Sequence, residues 1–219
     1  MSALERMDDF FASRVDTYED HMLNEVVGCR AGYARMAELI PENAAYLLDL
    51  GCGTGLEIDA ILARLPKLAI AAIDLSGTML ARVREKHPTA AISLLRADFT
   101  KTVLSKRPYF DVAVSFESMH HLTPEQKSVL YADIHTALLD GGVYIECDYM
   151  AKDDAEEARL AAEAAVARTA AGASDEVAYH LDIPCTVAHQ QKLLLAAGFA
   201  EVEVVFSEGQ TVMLLCRKA

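Results

Sequence analysis

Residues 46–55 are Tyr46-Leu47-Leu48-Asp49-Leu50-Gly51-Cys52-Gly53-Thr54-Gly55, an apolar run that ends in three glycines at alternate positions. The run predicts a buried strand, and the glycines let the chain turn tightly into a helix over residues 56–65. Strands and helices then alternate, with further strands expected at 68–75, 92–98, 110–116 and 143–149. This alternation predicts a parallel sheet covered by helices on both faces.

The two ends of the chain depart from this alternation. An apolar stripe from Leu4 to Met22 predicts an amphipathic helix, a second helix is expected at about 26–39, and residues 201–218 predict a hairpin. We therefore expect an α/β fold with a Rossmann-like, mostly parallel seven-stranded sheet, a C-terminal antiparallel hairpin, helices on both faces and an N-terminal helical cover. The expected parts of one domain, 1–219, are a cover (1–43), a core (44–150), an inserted helix and loop (151–185), and a last helix with the hairpin (186–219).

Composition limits the kinds of partner. The 219 residues carry a formal net charge of -13 at pH 7, without a Lys/Arg stripe, so we expect a small-molecule substrate rather than nucleic acid. No apolar run reaches the ~18 residues of a membrane span, and the N-terminal residues lack a signal-peptide pattern. The five cysteines form no Cys-x-x-Cys pair, which argues against a disulfide framework or a zinc site. We expect a cytoplasmic protein with no membrane partner and no metal, as a monomer or a homodimer.

The glycine-rich turn predicts an adenosine-like ligand. Asp74 ends the second strand, where an acid can bond the two hydroxyls of a ribose. A dinucleotide site would have Gly-x-Gly-x-x-Gly, but Leu56 occupies the position of the third glycine. The pattern is instead Asp-x-Gly-x-Gly-x-Gly. Asp49 could help to hold an ammonium group, such as the one on the methionyl part of S-adenosylmethionine.

The whole set of motifs resembles the class I S-adenosylmethionine-dependent methyltransferases. LLDLGCGTG at 47–55 and AIDLS at 72–76 resemble their first two motifs, and RADF at 96–99, FDVAVSFESMHHL at 110–122 and LLDGGVYIECDY at 138–149 resemble the later ones. FFASRVDTYEDHM at 10–22 looks like the entry helix of small-molecule methyltransferases. IECDYM and DIPCT are similar to stretches of a group of bacterial methyltransferases of the small-molecule type.

Pattern and resemblance together predict a site for S-adenosyl-L-methionine. The resemblance implies that Asp98 contacts the adenine amino group, and that the first helix closes over the cofactor with Arg14 or Tyr18 near the methionyl carboxylate. Alternatively, Asp98 caps a loop and the first helix is merely packed. The predicted cofactor-binding residues are Arg14, Tyr18, Asp49, Gly51, Cys52, Gly53, Gly55, Asp74, Leu75, Met79, Ala97, Asp98, Phe99 and Phe116.

Polar side chains after the fourth and fifth strands predict the acceptor side, because ligands of open α/β sheets bind outside the carboxyl ends of the strands. His120 and Glu146 are the candidate bases; alternatively, His120 and His121 only start a surface loop. Glu146 and Asp148 share one side of the fifth strand, where they could bind an amine or a metal, or be solvated. The predicted substrate residues are His21, Glu117, Met119, Asp148, Tyr149 and His180.

These residues predict a methyltransferase with an unidentified, small-molecule acceptor. The cofactor supplies the reactivity, so the protein's main contribution should be alignment under a roof formed by the first helix and residues 151–185. Three alternatives stay open: a noncatalytic adenosylmethionine-binding protein, a nucleotide-dependent oxidoreductase on a related sheet, and another transfer, such as aminopropyl or methylene chemistry, with the same cofactor.

Overall fold

The computed structural model describes residues 4–174 and 176–219. Helices and strands alternate through this part of the chain as the sequence predicts. The helices are α1 (Met7–Asn24), α2 (Cys29–Leu39), α3 (Leu56–Arg64), α4 (Gly77–Lys86), α5 (Pro124–Ala137), α6 (Asp154–Ala171) and α7 (Val187–Ala196). The strands are β1 (Tyr46–Leu50), β2 (Ala69–Asp74), β3 (Ile92–Arg96), β4 (Phe110–Phe116), β5 (Leu138–Tyr149), β6 (Glu201–Glu208) and β7 (Thr211–Arg217).

All seven strands form one sheet in the order β3-β2-β1-β4-β5-β7-β6. Strands β1 to β5 pair in parallel, whereas β7 runs antiparallel to both β5 and β6. The expected mostly parallel sheet with a C-terminal hairpin is therefore confirmed. The chain order reverses between β1 and β4, and this switch point opens a crevice at the carboxyl ends of the strands.

Two apolar layers enclose the sheet because successive side chains of a buried strand point to opposite faces. In β1, Leu47 packs with α2, α3 and α4, whereas Leu48 packs with α5 and α7. Asp49 is the next residue and returns to the face of Leu47. Its carboxylate is therefore buried beneath the helices rather than exposed to solvent.

Local signals set most helix ends. Thr123 and Gln126 form a reciprocal capping box at the start of α5, and Ser76 Oγ accepts a hydrogen bond from Met79 N at the start of α4. Helix α2 begins at Cys29, later than the predicted residue 26. The delay occurs at Gly28, whose φ of 90° is incompatible with a right-handed helix.

The Gly141-Gly142 pair lies inside β5, which begins at Leu138 and not at residue 143 as expected from the sequence. Helix α5 ends at Ala137, and β5 pairs with β4 from Leu138 onward, with an irregular register before Val143. A Cβ on Gly142 would lie 2.8 Å from Leu139 O and 3.0 Å from Asp111 O. The glycines therefore permit a close backbone crossing within the strand.

A β-bridge joins the N-terminal segment to the loop after α6. Arg6 pairs with Tyr179, Met7 N donates to Ala178 O at 3.0 Å, and His180 N donates to Glu5 O at 3.0 Å. Helix α1 and the segment 151–185 thus meet above the carboxyl ends of the strands. In the described part of the chain, no helix combines the length and apolar character required to cross a bilayer.

Candidate active site

A cavity of about 570 Å³ lies at the carboxyl ends of β1, β2 and β4. Its floor is the glycine-rich turn and the loops after β2, β3 and β4, and its roof is α1, α6 and the loop at 177–185. These are the roof elements expected from the sequence. The cavity is lined by ten of the predicted residues: Tyr18, Gly51, Gly53, Asp74, Leu75, Met79, Ala97, Asp98, Phe99 and Glu117.

Backbone donors hold Asp74 against the glycine-rich turn. Its Oδ2 accepts from Gly53 N at 2.8 Å, and its Oδ1 accepts from Ser76 N at 2.7 Å. Burial raises the pKa of Asp74, while these N–H groups lower it. A carboxylate has about four acceptor positions, so Asp74 can still accept from two hydroxyls of a ribose.

Asp49 lies within β1, next to the glycine-rich turn but outside the residues that line the cavity. The side chain is fully buried, and neither carboxylate oxygen has a hydrogen-bond partner in the described structure. Burial raises its pKa well above the usual value, and the Asp74 charge adds to the shift. Glu57 is also buried nearby, and Asp49 contributes to the raised pKa of its carboxyl. An ammonium group close to these two carboxyls would stabilise their ionised forms.

The turn packs closely against Ser118 and Tyr18, which is possible because Gly51 and Gly53 lack side chains. Gly51 and Gly53 have φ of 79° and 50°, where L side chains are strained. A Cβ on Gly51 would lie 2.3 Å from Ser118 Oγ, and one on Gly53 would lie 3.3 Å from the Tyr18 hydroxyl. The cradle and the buried acid fit the methionyl end of S-adenosylmethionine.

Asp98 has the loop-capping role that was considered as the alternative, and it also lines the cavity. Its Oδ1 accepts from Thr100 N at 3.0 Å and from Thr100 Oγ1 at 2.6 Å, and Lys101 Nζ lies 3.7 Å from Oδ2. Phe99 lies against the glycine turn, beside Leu75 and Ala97 in the cavity wall. The adenine contact of Asp98 stays a prediction.

Helix α1 brings Tyr18, but not Arg14 or His21, to the cavity. Arg14 is exposed, pairs with Glu5 at 3.3 Å and stacks on Phe10. His21 is exposed and bonded to Glu25. Both side chains are therefore directed away from the site in which the sequence predicted them.

His121 is one of the cavity residues that were not predicted from the sequence, and it is a titratable one. Its Nδ1 lies 3.0 Å from Leu181 O and 3.3 Å from Asp182 Oδ1. Burial and the neighbouring His120 lower its pKa, so the imidazole is neutral at pH 7. A carbonyl can only accept, so Nδ1 carries the proton and Nε2 keeps a lone pair. The adjacent His-His pair was visible in the sequence, but nothing there showed which ring enters the cavity.

His120, the predicted base, lies behind the cavity wall. Its Nδ1 is 2.7 Å from Asp148 Oδ1. Burial opposes the charge, but the Asp148 carboxylate outweighs it and raises the pKa of His120 to about 9. At neutral pH the ring is therefore protonated and cannot accept a proton.

Glu146, the other predicted base, belongs to a polar network in the core. It accepts from Tyr144 OH at 2.9 Å and from Gln190 Nε2, while Lys127 Nζ donates to Gln190 Oε1 at 3.1 Å. The strand alternation that puts Glu146 on the face of Tyr144 directs it under α5 and α7, outside the cavity lining. Its position therefore corrects the assignment as a catalytic base.

The remaining predicted residues support the cavity from outside its lining. Cys52, Phe116 and Met119 are buried in the core, Phe116 stacks on Tyr33, and Gly55 packs against Val83 of α4. His180 stacks on Phe10 at 3.5 Å between ring centroids, and Tyr149 lies edge-on to His120.

Among the described residues, three groups of side chains have the spacing of metal ligands: His120, His121 and Asp182; Glu117, His120 and Asp148; Glu157, Cys185 and His189. Ion pairs account for part of each arrangement. His120 already pairs with Asp148, and His189 Nδ1 lies 2.5 Å from Glu157 Oε1.

Comparisons with known proteins agree with this geometry. A family model described as a methyltransferase domain matches residues 47–142. A carboxy-S-adenosyl-L-methionine synthase of Campylobacter concisus is 24% identical, over 96% of this chain and 93% of its own. Streptomyces venezuelae DesVI superposes with a TM-score of 0.69 at 18% identity, over 94% of this chain and 98% of that chain. Human N-acetylserotonin methyltransferase, solved with S-adenosylmethionine, has a TM-score of 0.67 at 16% identity, over 97% of this chain but 56% of that chain.

Proposed function

We propose that the chain is a class I S-adenosylmethionine-dependent methyltransferase that methylates a small-molecule acceptor held under the roof of the cavity, with His121 accepting the acceptor's proton. The observation that supports this proposal most directly is the neutral His121 imidazole in the cavity wall, with Nδ1 bonded to Leu181 O. Nε2 is then the nitrogen that can accept a proton.

The shape of the cavity supports a small acceptor. About 570 Å³ lies within the range of small-molecule sites, and part of this space is needed for the cofactor. The wall above it is formed by Ala161, Ala164 and Ala165 of α6 and by Phe11 of α1. These side chains exclude water from the reacting atoms and leave a space suited to one compact molecule.

S-adenosylmethionine supplies a methyl carbon on a sulfonium leaving group, so no protein nucleophile is needed. The chain's residues bind, orient and deprotonate. Asp74 holds the ribose of the cofactor, and the buried carboxyl of Asp49 favours a cationic group above the glycine-rich turn. Tyr18 lies over Gly53, and the roof positions the acceptor. Asp182 lies beside Nδ1–H of His121, so it stabilises the imidazolium that forms when Nε2 takes the proton.

The curated relative favours a second candidate, a synthase of carboxy-S-adenosyl-L-methionine. The supporting observation is that the alignment extends over nearly the full length of both chains. In that case the cofactor itself would be modified, and the second substrate would deliver a carboxylate. The abundance of acidic side chains in this cavity disfavours an anionic second substrate, which is why methyl transfer is the first candidate.

The products separate the two candidates. The protein is incubated with S-adenosylmethionine and metabolite extract, and the cofactor pool is followed by mass spectrometry. Adenosylhomocysteine together with a methylated metabolite supports the proposal. Carboxylated adenosylmethionine in place of adenosylhomocysteine supports the second candidate, and an unchanged cofactor pool with every extract contradicts both.

A variant tests the role of His121. In His121→Asn, an amide N–H replaces Nδ1–H near Leu181 O, but no group replaces Nε2. We expect kcat to fall about 10²- to 10⁴-fold while the affinity for adenosylhomocysteine stays within about twofold. His21→Asn is the matched control, because His21 is exposed and lies outside the cavity. An unchanged kcat in His121→Asn would remove His121 from the mechanism.

A further inference from the structure

The charged groups around the cavity are mostly acidic. The carboxylates in its lining are Asp8, Asp74, Asp98, Glu117, Glu125 and Glu157, whereas the cations are Lys101 and Arg168. Asp74 and Asp98 lie in the cofactor half. Lys101 lies within 4 Å of carboxylate oxygens of Asp98 and Glu176, which offset its charge. Asp8 and Glu157 are also paired, with Arg6 at 3.2 Å and with His189 at 2.5 Å. The lining as a whole still contains more carboxylates than cations.

Glu117 is the most deeply buried of the acids on the acceptor side. Its side chain is 8% exposed, and it is the one non-glycine residue with positive φ, 47°, in the described chain. This backbone conformation is strained for an L residue. The conformation directly follows β4, where Glu117 N donates to Cys147 O at 2.8 Å. The strain is stabilised by the fold and places a carboxylate at the cavity wall.

The two oxygens of Glu117 have different surroundings. Thr211 Oγ1 donates to Oε1 at 3.2 Å, and Cys29 Sγ lies 3.9 Å from the same oxygen. Oε2 is 3.6 Å from His120 Nδ1, a distance too long for a hydrogen bond. The hydrogen bond of Nδ1 goes to Asp148 Oδ1 instead. The backbone N–H of Tyr149 also faces this carboxyl group.

The cluster around Glu117 has too little positive charge. The His120 imidazolium lies within 4 Å of carboxylate oxygens of Glu117, Asp148 and Asp182. In addition, Asp148 Oδ2 is buried and has no hydrogen-bond partner in the described structure. Glu117 thus shares one imidazolium with two other carboxylates, and a further cation beside it would favour its ionised form.

We propose that the acceptor is an amine, which enters as an ammonium ion and is positioned by Glu117, so that the enzyme is an N-methyltransferase. The inference rests on the proposed methyl transfer and adds the class of acceptor. An ammonium group beside Oε2 adds positive charge to the cluster and donates a hydrogen bond to this oxygen, because the Nδ1 hydrogen bond of His120 goes to Asp148 instead. His120 and Asp148 hold the loop on which Glu117 lies, and so act as positioning residues.

In the transfer step, the ammonium gives one proton to His121 Nε2. The loss of this proton leaves a lone pair on the nitrogen of the acceptor. The lone pair forms the N–C bond to the methyl carbon, and the C–S bond breaks with its electron pair remaining on sulfur. The products are an N-methylated ammonium ion and neutral adenosylhomocysteine sulfur, and the imidazolium returns its proton to solvent.

Fractionation of the acceptor pool tests the class directly. Metabolite extract is separated by ion exchange into basic, neutral and acidic fractions, and each is incubated with the enzyme and S-adenosylmethionine labelled in the methyl group. We expect labelled product from the basic fraction, with the product itself retained by a cation exchanger. Label transferred only in the neutral or acidic fraction overturns the amine proposal and leaves methyl transfer intact. Absence of transfer in all fractions overturns both.

Glu117→Gln keeps the size of the side chain and removes its charge. The acceptor amine is purified from the active basic fraction and used with both proteins. Compared with wild type, Glu117→Gln should raise the acceptor KM at least about tenfold and change the affinity for adenosylhomocysteine by no more than about twofold. Glu163→Gln, an exposed residue of α6 outside the cavity, is the control. If Glu117→Gln instead weakens adenosylhomocysteine binding and leaves acceptor KM unchanged, Glu117 holds the cofactor and the amine proposal fails.

Discussion

Nδ1 of His120 and Oδ1 of Asp148 lie 2.7 Å apart, and their bond joins the loop after β4 to the end of β5 across 28 residues of sequence. Asp148 is fully buried and His120 is nearly so. A buried ion pair of this kind fixes the loop that contains Glu117 and His121. It also ties the stability of the fold to the protonation of one histidine.

Stability should therefore fall as pH rises through the pKa of His120. Asp148 raises that pKa to about 9 against the effect of burial, above the value of about 6.5 in an unfolded chain. The free energy that the charged His120 contributes to folding is fully present below the pKa of the unfolded chain. It is lost as pH rises through the higher pKa of His120 in the folded protein. Between pH 7 and 10 we expect the pair to lose up to about 3 kcal/mol of unfolding free energy. Urea denaturation of wild type and His120→Gln across this range measures it, and equal pH slopes in the two proteins would contradict it.

Glu146→Gln should weaken the fold without changing the chemistry. Glu146 accepts from Tyr144 and from Gln190, which in turn accepts from buried Lys127, so a neutral amide in its place disrupts a buried network and should cost roughly 1–3 kcal/mol. The turnover of folded protein should stay at the wild-type value, because Glu146 lies outside the cavity. If Glu146→Gln unfolds, the double variant Lys127→Met/Glu146→Gln tests the same point, since it removes both charges and should recover stability. If the double variant is stable but turns over more slowly than wild type, Glu146 is again a candidate catalytic residue.

Cofactor binding should depend on Asp74 and on the space beside Gly53. Asp74→Ala removes the acceptor for ribose hydroxyls, so we expect adenosylhomocysteine binding to weaken by about 1–3 kcal/mol. Gly53→Val should weaken it further, because a side chain there meets Tyr18 and strains a backbone with φ of 50°. Calorimetry measures the affinity of both variants for adenosylhomocysteine. Asp140→Ala is the control, because Asp140 is exposed. Unchanged affinity in the two folded variants, or tighter binding of NAD than of adenosylhomocysteine, would place the site elsewhere.

The roof should close more firmly when ligands bind. Phe10 of α1 stacks on His180 beside the bridge between Arg6 and Tyr179. Adenosylhomocysteine and acceptor should increase hydrogen-exchange protection at residues 5–18 and 177–183. Phe10→Ala removes a stack worth about 0.5–1.5 kcal/mol, so it should raise acceptor KM by up to about tenfold and speed exchange in both segments. Val166→Ala, an exposed apolar truncation on α6, should change neither. If hydrogen exchange in the two segments is the same in wild type and in Phe10→Ala, the stack does not close the roof.

The cofactor half of the site was largely predictable. The residues from Asp49 to Gly55 are consecutive, and Asp74 ends the next strand of the chain, which pairs directly with β1. Local sequence and a nearest-neighbour strand pairing therefore suffice to bring these groups together. Arg14 and His21 were misplaced because spacing along a helix shows which residues share a face, but not how far that face is from a ligand.

The sequence by itself determined the strand–helix alternation, the caps of α4 and α5, the glycine turn and the acids around it, because each depends on neighbouring residues and on backbone conformation. Only the tertiary structure decided the roles of His120, His121 and Glu146. Those roles depend on which carboxylate or carbonyl lies beside each group: Asp148 keeps His120 charged, Leu181 O orients a neutral His121, and Gln190 encloses Glu146. Charge and protonation in a protein interior are set by such long-range contacts, which no local pattern specifies.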